Sequence, residues 1–218
     1  MTPPTIRRAS PDDAPTTAAL IATAFHPLDV AAWLVPDPQR RTGTLTAHFD
    51  ILIDHALTHG RIDLIEDDDT RQLAAAAVWI PHLTGPPPPP PAYDQRLATA
   101  CGPATPRFQQ LDQLFTHHHP HRYPHHHLAL LATRPDRQRH QLGTALLRHH
   151  HNHLDTHGIA AYLEASSPES RQLYKRHQYR CPGPKVHLPD GPPLWPMWRE
   201  PQAHVCQTNG ETKGAVQH

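Results

Sequence analysis

The stretch RPDRQRHQLGTALL, residues 134–147, decides how this chain folds. It follows an apolar run, LALLAT at 128–133, which predicts a buried strand. Its own residues predict a tight polar turn and then a helix that begins near Gln138 and ends at Gly158. The first N–H groups of a helix have no partner within the helix and, with the helix dipole, attract anions. The stretch therefore predicts an anion-binding cradle between a strand and a helix.

Glycines in such a cradle let the backbone approach an anion closely, because no side chain stands in the way. Gly143 meets this requirement, but Gln141 stands where a second glycine would be expected. We predict ordinary helical angles at Gln141, since it falls in the first helical turn. Its N–H group would then still face the anion. A positive φ at this position would instead cost roughly 1–2 kcal/mol.

Outward from this stretch, strands and helices follow one another in a mixed order. The predicted elements are strand 5–9, helix 10–25, helix 40–59, strands 61–65 and 73–80, helix 108–115, strand 128–133, helix 138–157, strand 159–165, helix 167–177 and an edge strand 194–198. This order predicts an α/β protein with a single mixed central sheet flanked by helices. We expect one domain over residues 1–200, with a stiff proline-rich linker at about 81–92 and a polar, disordered tail at 201–218.

Composition excludes several classes of protein. The chain has 218 residues, and its 20 Lys plus Arg equal its 20 Asp plus Glu, so no basic field predicts binding to nucleic acid. No stretch approaches the ~20 apolar residues that span a bilayer, and the N-terminus lacks an apolar leader. Three widely spaced cysteines, Cys101, Cys181 and Cys206, predict no disulfide framework and favour a reducing cytoplasm. Nothing in the sequence indicates an oligomeric state.

A second stretch, LEASSPESRQLYKRHQY at 163–179, joins the first in a family resemblance. Together they resemble the two signatures of the GNAT superfamily of acyl-CoA-dependent N-acetyltransferases. The first signature is Gln/Arg-x-x-Gly-x-Gly/Ala. Gln138 holds its first place and Gly143 its last, while Gln141 replaces the middle glycine.

The second signature has an Asn near the end of the fifth strand and a Leu-Tyr pair seven residues on. Ser167 holds the place of the Asn, and Leu173 and Tyr174 form the pair. Gln178 stands where the family usually has another glycine. Two signatures in the right order, with the right elements between them, are far more specific than either alone.

The resemblance implies a fold in which the fourth strand splays from the fifth and acetyl-CoA, the co-substrate, binds in the wedge. The pantetheine arm would bond to the backbone of the fourth strand, and the pyrophosphate would lie on the cradle. The implied cofactor-binding residues are Leu131, Ala132, Thr133, Gln138, Arg139, His140, Gln141, Leu142, Gly143, Thr144 and Ser167.

The resemblance also implies a reaction, which is transfer of an acetyl group to a primary amine of a small molecule or peptide by direct attack. Tyr174 would be the general acid that protonates the leaving thiolate. Glu164 would act as a base or bind a cationic amine. Alternative interpretations are a packing role for Tyr174 and a surface or salt-bridge role for Glu164.

Two other functions compete with this one. The replaced glycines fit an acyl-CoA sensor without turnover, and the 22 histidines fit a metal-binding protein. We predict no metal site, because the run at 117–127 contains adjacent histidines that suit adventitious binding. On the helix after the cradle, helical periodicity predicts that His150 and His157 face the core and that His151 is exposed.

One acidic run and two single residues away from the signatures carry predictions of their own. The acidic run Asp67-Asp68-Asp69 is predicted to be a solvated hairpin tip. Asp29 and Trp33 follow the first helix, near the acceptor site that the resemblance implies. Either could contact substrate, and Trp33 is better explained as a packing anchor.

Overall fold

Seven strands and seven α-helices make up the computed structural model, which describes residues 4–67, 69–121 and 123–202. The strands are β1 (Ile6–Arg8), β2 (Arg61–Glu66), β3 (Leu73–His82), β4 (His125–Thr133), β5 (Ala160–Ala165), β6 (Val186–His187) and β7 (Pro193–Arg199). The helices are α1 (Ala14–Phe25), α2 (Asp29–Leu34), α3 (Pro38–His59), α4 (Tyr93–Cys101), α5 (Thr105–His118), α6 (Leu142–His157) and α7 (Pro168–Arg176).

The strands form one sheet in the order β1-β2-β3-β4-β5-β7-β6. Every neighbouring pair is antiparallel except β4 with β5, which run parallel. The predicted α/β class with a single mixed sheet is therefore confirmed. The parallel pair arises because α6 carries the chain from the end of β4 back to the start of β5, as a crossover helix does.

Both faces of the sheet are covered, and β3 shows how. Side chains alternate between the faces of a strand. Ala76, Val78 and Ile80 join the core that α1, α3 and α5 cover, while Ala75, Ala77 and Trp79 join the core under α6 and α7. A strand buried on both faces reads as a continuous apolar run, which is what LAAAAVWI at 73–80 shows.

Residues 194–198 form a strand as predicted, but the prediction that this strand lies at the edge of the sheet is wrong. It forms part of β7, which lies between β5 and β6. Its prolines suggested an edge, because proline cannot donate to a ladder. β6 has only two residues, Val186 and His187, and covers only the start of β7. So short a strand leaves no readable pattern in the sequence.

The proline-rich segment follows β3 directly. β3 runs to His82, and residues 83–92 then lead without helix or strand to α4. The carbonyl oxygen of Pro88 lies 2.8 Å from Nε2 of His55 on α3, so the segment rests against that helix. The short helices α2 and α4 were not predicted.

Two of the three predictions for histidines on α6 are wrong. His150 is buried and stacks on Trp79 with ring centroids 4.1 Å apart, as expected of a core residue. His151 is buried rather than exposed, because Tyr179 covers it and their Nε2 and hydroxyl atoms lie 2.9 Å apart. His157, in the last turn, is exposed.

The predicted tail at 201–218 lies outside the described residues from position 203 onward. Within the described part, no helix combines the length and the apolar character needed to cross a membrane.

Candidate active site

β4 and β5 are hydrogen-bonded to each other only over their first three residues. They pair only between His125–His127 and Ala160–Tyr162, although β4 continues to Thr133 and β5 to Ala165. On its other edge β4 stays paired with β3 as far as Thr133. Backbone groups of 128–133 that point toward β5 therefore meet a gap rather than a ladder. The predicted splay of the fourth strand from the fifth is confirmed.

A β-bulge lies where the splay begins. Trp79 pairs with Leu128 and the preceding Val78 pairs with Leu130, so Ala129 is an extra residue on β4. A bulge bends its strand and increases the local twist. This bend turns the rest of β4 away from β5.

A cavity of about 440 Å³ fills the gap and continues beneath the helices. On the side of the cradle it is lined by Leu131, Ala132, Thr133, Gln138, Ser166, Ser167, Ser170 and Tyr174. His127 and Glu164 line its middle, and an apolar wall from α1, α2, α3 and α5 closes its far end. One continuous space thus joins residues of both signatures.

The turn after β4 is fixed to the sheet at two points. The N–H of Arg134 donates to the carbonyl of Ala74 at 2.8 Å. The guanidinium of Arg137 pairs with the carboxylate of Asp67, whose side chain is only 7% exposed. Asp67 was predicted to be part of a solvated tip. Instead it anchors the cradle turn to the β2–β3 hairpin, a contact between distant parts of the chain that no local pattern reveals.

The prediction of ordinary helical angles at Gln141 is wrong. Gln141 has φ 62° and ψ 12°, which is the left-handed region, and α6 begins at Leu142 rather than near Gln138. Arg139 is also left-handed, at φ 65°. The chain must turn sharply between the 3-10 helix at Pro135–Arg137 and α6, and these two residues make the turn. Successive N–H groups in such a turn form a concave anion site.

The cradle keeps its backbone donors in spite of the glutamine. The first hydrogen bond of α6 runs from the N–H of Ala145 to the carbonyl of Gln141, at 2.9 Å. The N–H groups of Leu142, Gly143 and Thr144 come before it and so remain open at the helix N-terminus. The side chain of Gln141 is exposed and meets no steric obstacle. Gln141 therefore lowers stability only through its left-handed backbone conformation.

Gln141→Gly should therefore raise the free energy of unfolding, by up to about 1.6 kcal/mol. Relief of a left-handed residue is worth roughly 1–2 kcal/mol, and the extra freedom of glycine in the unfolded chain offsets roughly 0.4–1 kcal/mol. Urea unfolding measures the change. The matched control is Gln138→Gly, because Gln138 has φ −66° and should lose stability. Equal losses from both substitutions would contradict the left-handed assignment.

Gly143 faces the open edge of β4. A Cβ atom added to it would lie 3.7 Å from Cδ2 of Leu131 and 3.8 Å from Oγ1 of Thr133, which are ordinary contacts. The protein itself therefore tolerates a side chain here. A side chain at position 143 would occupy the space between the N-terminus of α6 and the open edge of β4.

Ser167 and Tyr174 lie at opposite ends of α7. Ser167 caps the helix, with its hydroxyl accepting from the N–H of Ser170 at 3.1 Å. Tyr174, seven residues on, is 8% exposed and lines the cavity. Burial raises the pKa of its phenol, so the proton stays on at neutral pH. Its ring also lies 5.8 Å from that of Tyr179, so it contributes to packing as well.

Glu164 is not a surface residue. Its side chain is 6% exposed, and Oε2 lies 2.9 Å from Nε2 of His127. Its Oε1 is buried and makes no hydrogen bond to any part of the chain that the structure describes. Burial and then the Glu164 carboxylate raise the pKa of Tyr162, which lies two residues earlier on the same face of β5. The site therefore holds a buried carboxylate between the imidazole of His127 and the phenol of Tyr162.

The far wall of the cavity is mostly apolar. Its side chains include Phe25, Leu28, Leu34, Leu45, Phe49, Leu52, Leu111 and Phe115, with His48 and Asp112 as polar members. Asp29 and Trp33 are not among the lining residues. Asp29 is exposed, and the indole N–H of Trp33 donates to the carbonyl of Pro189 at 2.9 Å. Trp33 is therefore a packing anchor.

Comparison with known proteins yields one family and several structures. Residues 100–179 match the model of the acetyltransferase (GNAT) family. The fold is similar to the crystal structure described as histone acetyltransferase HPA2 and related acetyltransferase from Corynebacterium glutamicum. Over 94% of this chain and 99% of that one, the TM-score is 0.71 and the identity 26%.

Two more distant structures share the fold. One is the polyamine N acetyltransferase of Drosophila melanogaster, at TM-score 0.60 and 13% identity over 90% of this chain and 99% of that one. The other is the mosquito arylalkylamine N-acetyltransferase like 5b, at 0.58 and 14% over 90% and 99%.

Proposed function

Because the chain belongs to the GNAT superfamily of acetyltransferases, we propose that it transfers an acetyl group from acetyl-CoA to a primary amine of a small molecule or peptide. The observation that carries this proposal is the continuous cavity, which joins the open edge of β4, Tyr174 and the Glu164–His127 pair. A thioester and an amine could therefore meet in one continuous space.

The gap and the cradle suit acetyl-CoA as the co-substrate. Open backbone groups of Leu131, Ala132 and Thr133 would bond to the pantetheine amides. The N–H groups from Arg139 to Thr144 would hold the pyrophosphate, with charge-assisted contacts from Arg139 and His140. Gln138 and Ser167 line the same cavity and would border the arm.

The reaction would proceed by direct attack. Glu164 would take the proton of the amine, whose nitrogen then bonds to the thioester carbonyl carbon. The carbon–sulfur bond breaks, and the phenol of Tyr174 supplies the proton that the leaving sulfur needs. The products are the acetylated amine and CoA. The buried Oε1 of Glu164, which makes no hydrogen bond within the described chain, supports its place beside the amine.

The far wall and the relatives both bear on the class of acceptor. An apolar wall with few polar members favours an amine on an apolar body. The two distant structures are named for polyamines and arylalkylamines, and the more similar one for histone acetylation. We therefore propose that the acceptor is an amine on either a small molecule or a peptide. We also propose that the protein acts in the cytoplasm.

Release of free thiol from acetyl-CoA, measured across a panel of aryl, alkyl and peptide amines, tests the activity. We expect amine-dependent thiol release, and we expect Glu164→Gln to lose most of it while the fold persists. A chain that binds CoA in calorimetry but turns over no amine would be a sensor rather than an enzyme. Left-handed angles at Gln141 and Gln178 favour the enzyme, because both keep the backbone shape that glycine usually provides.

Gly143→Asp should weaken CoA binding strongly, because a carboxylate would face the pyrophosphate at the helix N-terminus. The matched control, Gly143→Ala, adds only a Cβ with ordinary protein contacts and should weaken it less. Titration calorimetry with CoA gives both affinities, and thermal melting checks that each variant is folded. Unchanged affinity in the Asp variant, or no CoA binding by the wild type at millimolar ligand, would refute the cradle.

A further inference from the structure

We propose that His82, His119 and His125 form a binding site for a divalent transition-metal ion, of which Zn²⁺ fits best. The three residues come from the end of β3, the residue after α5 and the start of β4. They do not belong to the proposed acetyl-transfer site, so this proposal stands independently of that function.

The geometry already gathers three ligand atoms. One nitrogen from each ring lies within 4.8 Å of the other two. The Nε2 atoms of His119 and His125 are 3.0 Å apart. Zinc binds imidazole nitrogen at roughly 2.0–2.1 Å in tetrahedral geometry, which places two ligands roughly 3.3 Å apart. Small rotations of the rings would therefore close the site around one ion, and leave a fourth position for water.

The protein holds His125 in the form that binds metal. Its Nδ1 lies 2.8 Å from the carbonyl oxygen of Tyr123, so Nδ1 carries the proton. Its Nε2 then presents a lone pair toward His119. A backbone carbonyl that fixes the tautomer in this way is the usual partner of a metal-bound histidine.

The rings are also packed rather than loose. His82 stacks on His125 with centroids 5.1 Å apart and lies 4.3 Å from His119. This packing limits the motion of the three rings, so their nitrogens stay close together.

The histidine run alone did not reveal this site. It predicted adventitious binding by adjacent residues, and its members His117 and His118 are indeed exposed. His82 lies 37 positions before His119, and only the β3–β4 pairing brings it to His125, its direct partner in the register. The ion would tie the end of α5, whose Leu111 and Phe115 line the cavity, to the sheet.

Calorimetry with Zn²⁺ alone tests the proposal on the whole chain, stripped with a chelator and free of any histidine tag. We expect one tight equivalent for the wild type. His119→Gln and His82→Gln should each weaken it by at least about 100-fold, since loss of a supporting partner alone costs 10–100-fold. The matched control, His117→Gln with His118→Gln, removes two exposed histidines of the same run and should keep the tight equivalent.

A second readout guards against misfolding. Zn²⁺ should raise the melting temperature of the wild type and of the control, and should not raise that of His119→Gln. Circular dichroism of the metal-free variants establishes that they are folded. Two outcomes would overturn the site: weak, multiple-site binding by the wild type, or an equal loss of binding in the control and in His119→Gln.

Discussion

Turnover falls by roughly 10²–10⁴-fold when Tyr174 is replaced by phenylalanine, if its phenol is the general acid of the proposed reaction. The substitution keeps the ring, which lies in the cavity and against Tyr179, and removes only the proton donor. Burial raises the pKa of the phenol and so keeps it protonated at neutral pH. The loss should appear in kcat and kcat/KM alike, as for an interaction made only in the transition state.

CoA affinity and melting temperature should change little in Tyr174→Phe. The control is Tyr179→Phe, which removes a hydroxyl that lies 2.9 Å from Nε2 of His151. That variant should lose stability, because it leaves a buried histidine nitrogen without its partner, but keep its turnover. If Tyr174→Phe retained near wild-type turnover on a proven acceptor, or melted far earlier, Tyr174 would be a packing residue.

Acid should begin to destabilise this protein above the pH at which its carboxylates titrate. His48 is 6% exposed, lies between Phe49 and Phe108, and burial lowers its pKa from 6.5 to about 4. The unfolded chain takes up this proton near pH 6.5, and the folded chain only near pH 4. Stability is therefore complete above pH 6.5 and falls as the pH drops toward 4. The total loss is about 3 kcal/mol, at 1.36 kcal/mol for each pKa unit.

His151 adds to the same loss. Burial, followed by the positive charges of Arg199 and of His177 and His150 when protonated, lowers its pKa to about 3, and Asp155 opposes the shift only weakly. Urea unfolding between pH 7.5 and 4.5, in the presence of a chelator, measures the slope. His48→Leu should flatten the profile, whereas His118→Gln, at an exposed position, should leave it unchanged. A wild-type profile without slope between pH 6.5 and 4.5 would contradict the neutral, buried state of these rings.

Local patterns predicted the elements that carry the site. The apolar run at 128–133, the turn after it and the capping serine at 167 all lie where the sequence placed them. Periodicity and capping are properties of short segments, so a single sequence contains them. The same holds for Tyr174, whose place in the last turn of α7 follows from its distance to Ser167.

Contacts between distant segments could not be predicted in this way. Asp67 meets Arg137 across 70 positions, and Tyr179 covers His151 across 28. Which strand lies beside β7, and which histidine lies beside His125, depend on pairing that no window of sequence contains. The far wall of the cavity is likewise assembled from four helices, and three of them lie far from both signatures along the chain.

The two left-handed glutamines bear on how such sites are recognised and how they change over evolutionary time. Gln141 and Gln178 have φ values of 62° and 69°, at the two positions where the family usually has glycine. The inherited constraint is thus a dihedral angle, and glycine is only its least costly occupant. Each glutamine lowers the free energy of unfolding slightly, because of its left-handed backbone, and adds a polar side chain beside a helix end. A sequence pattern written in letters treats this as a lost motif, whereas one written in backbone angles counts it as retained.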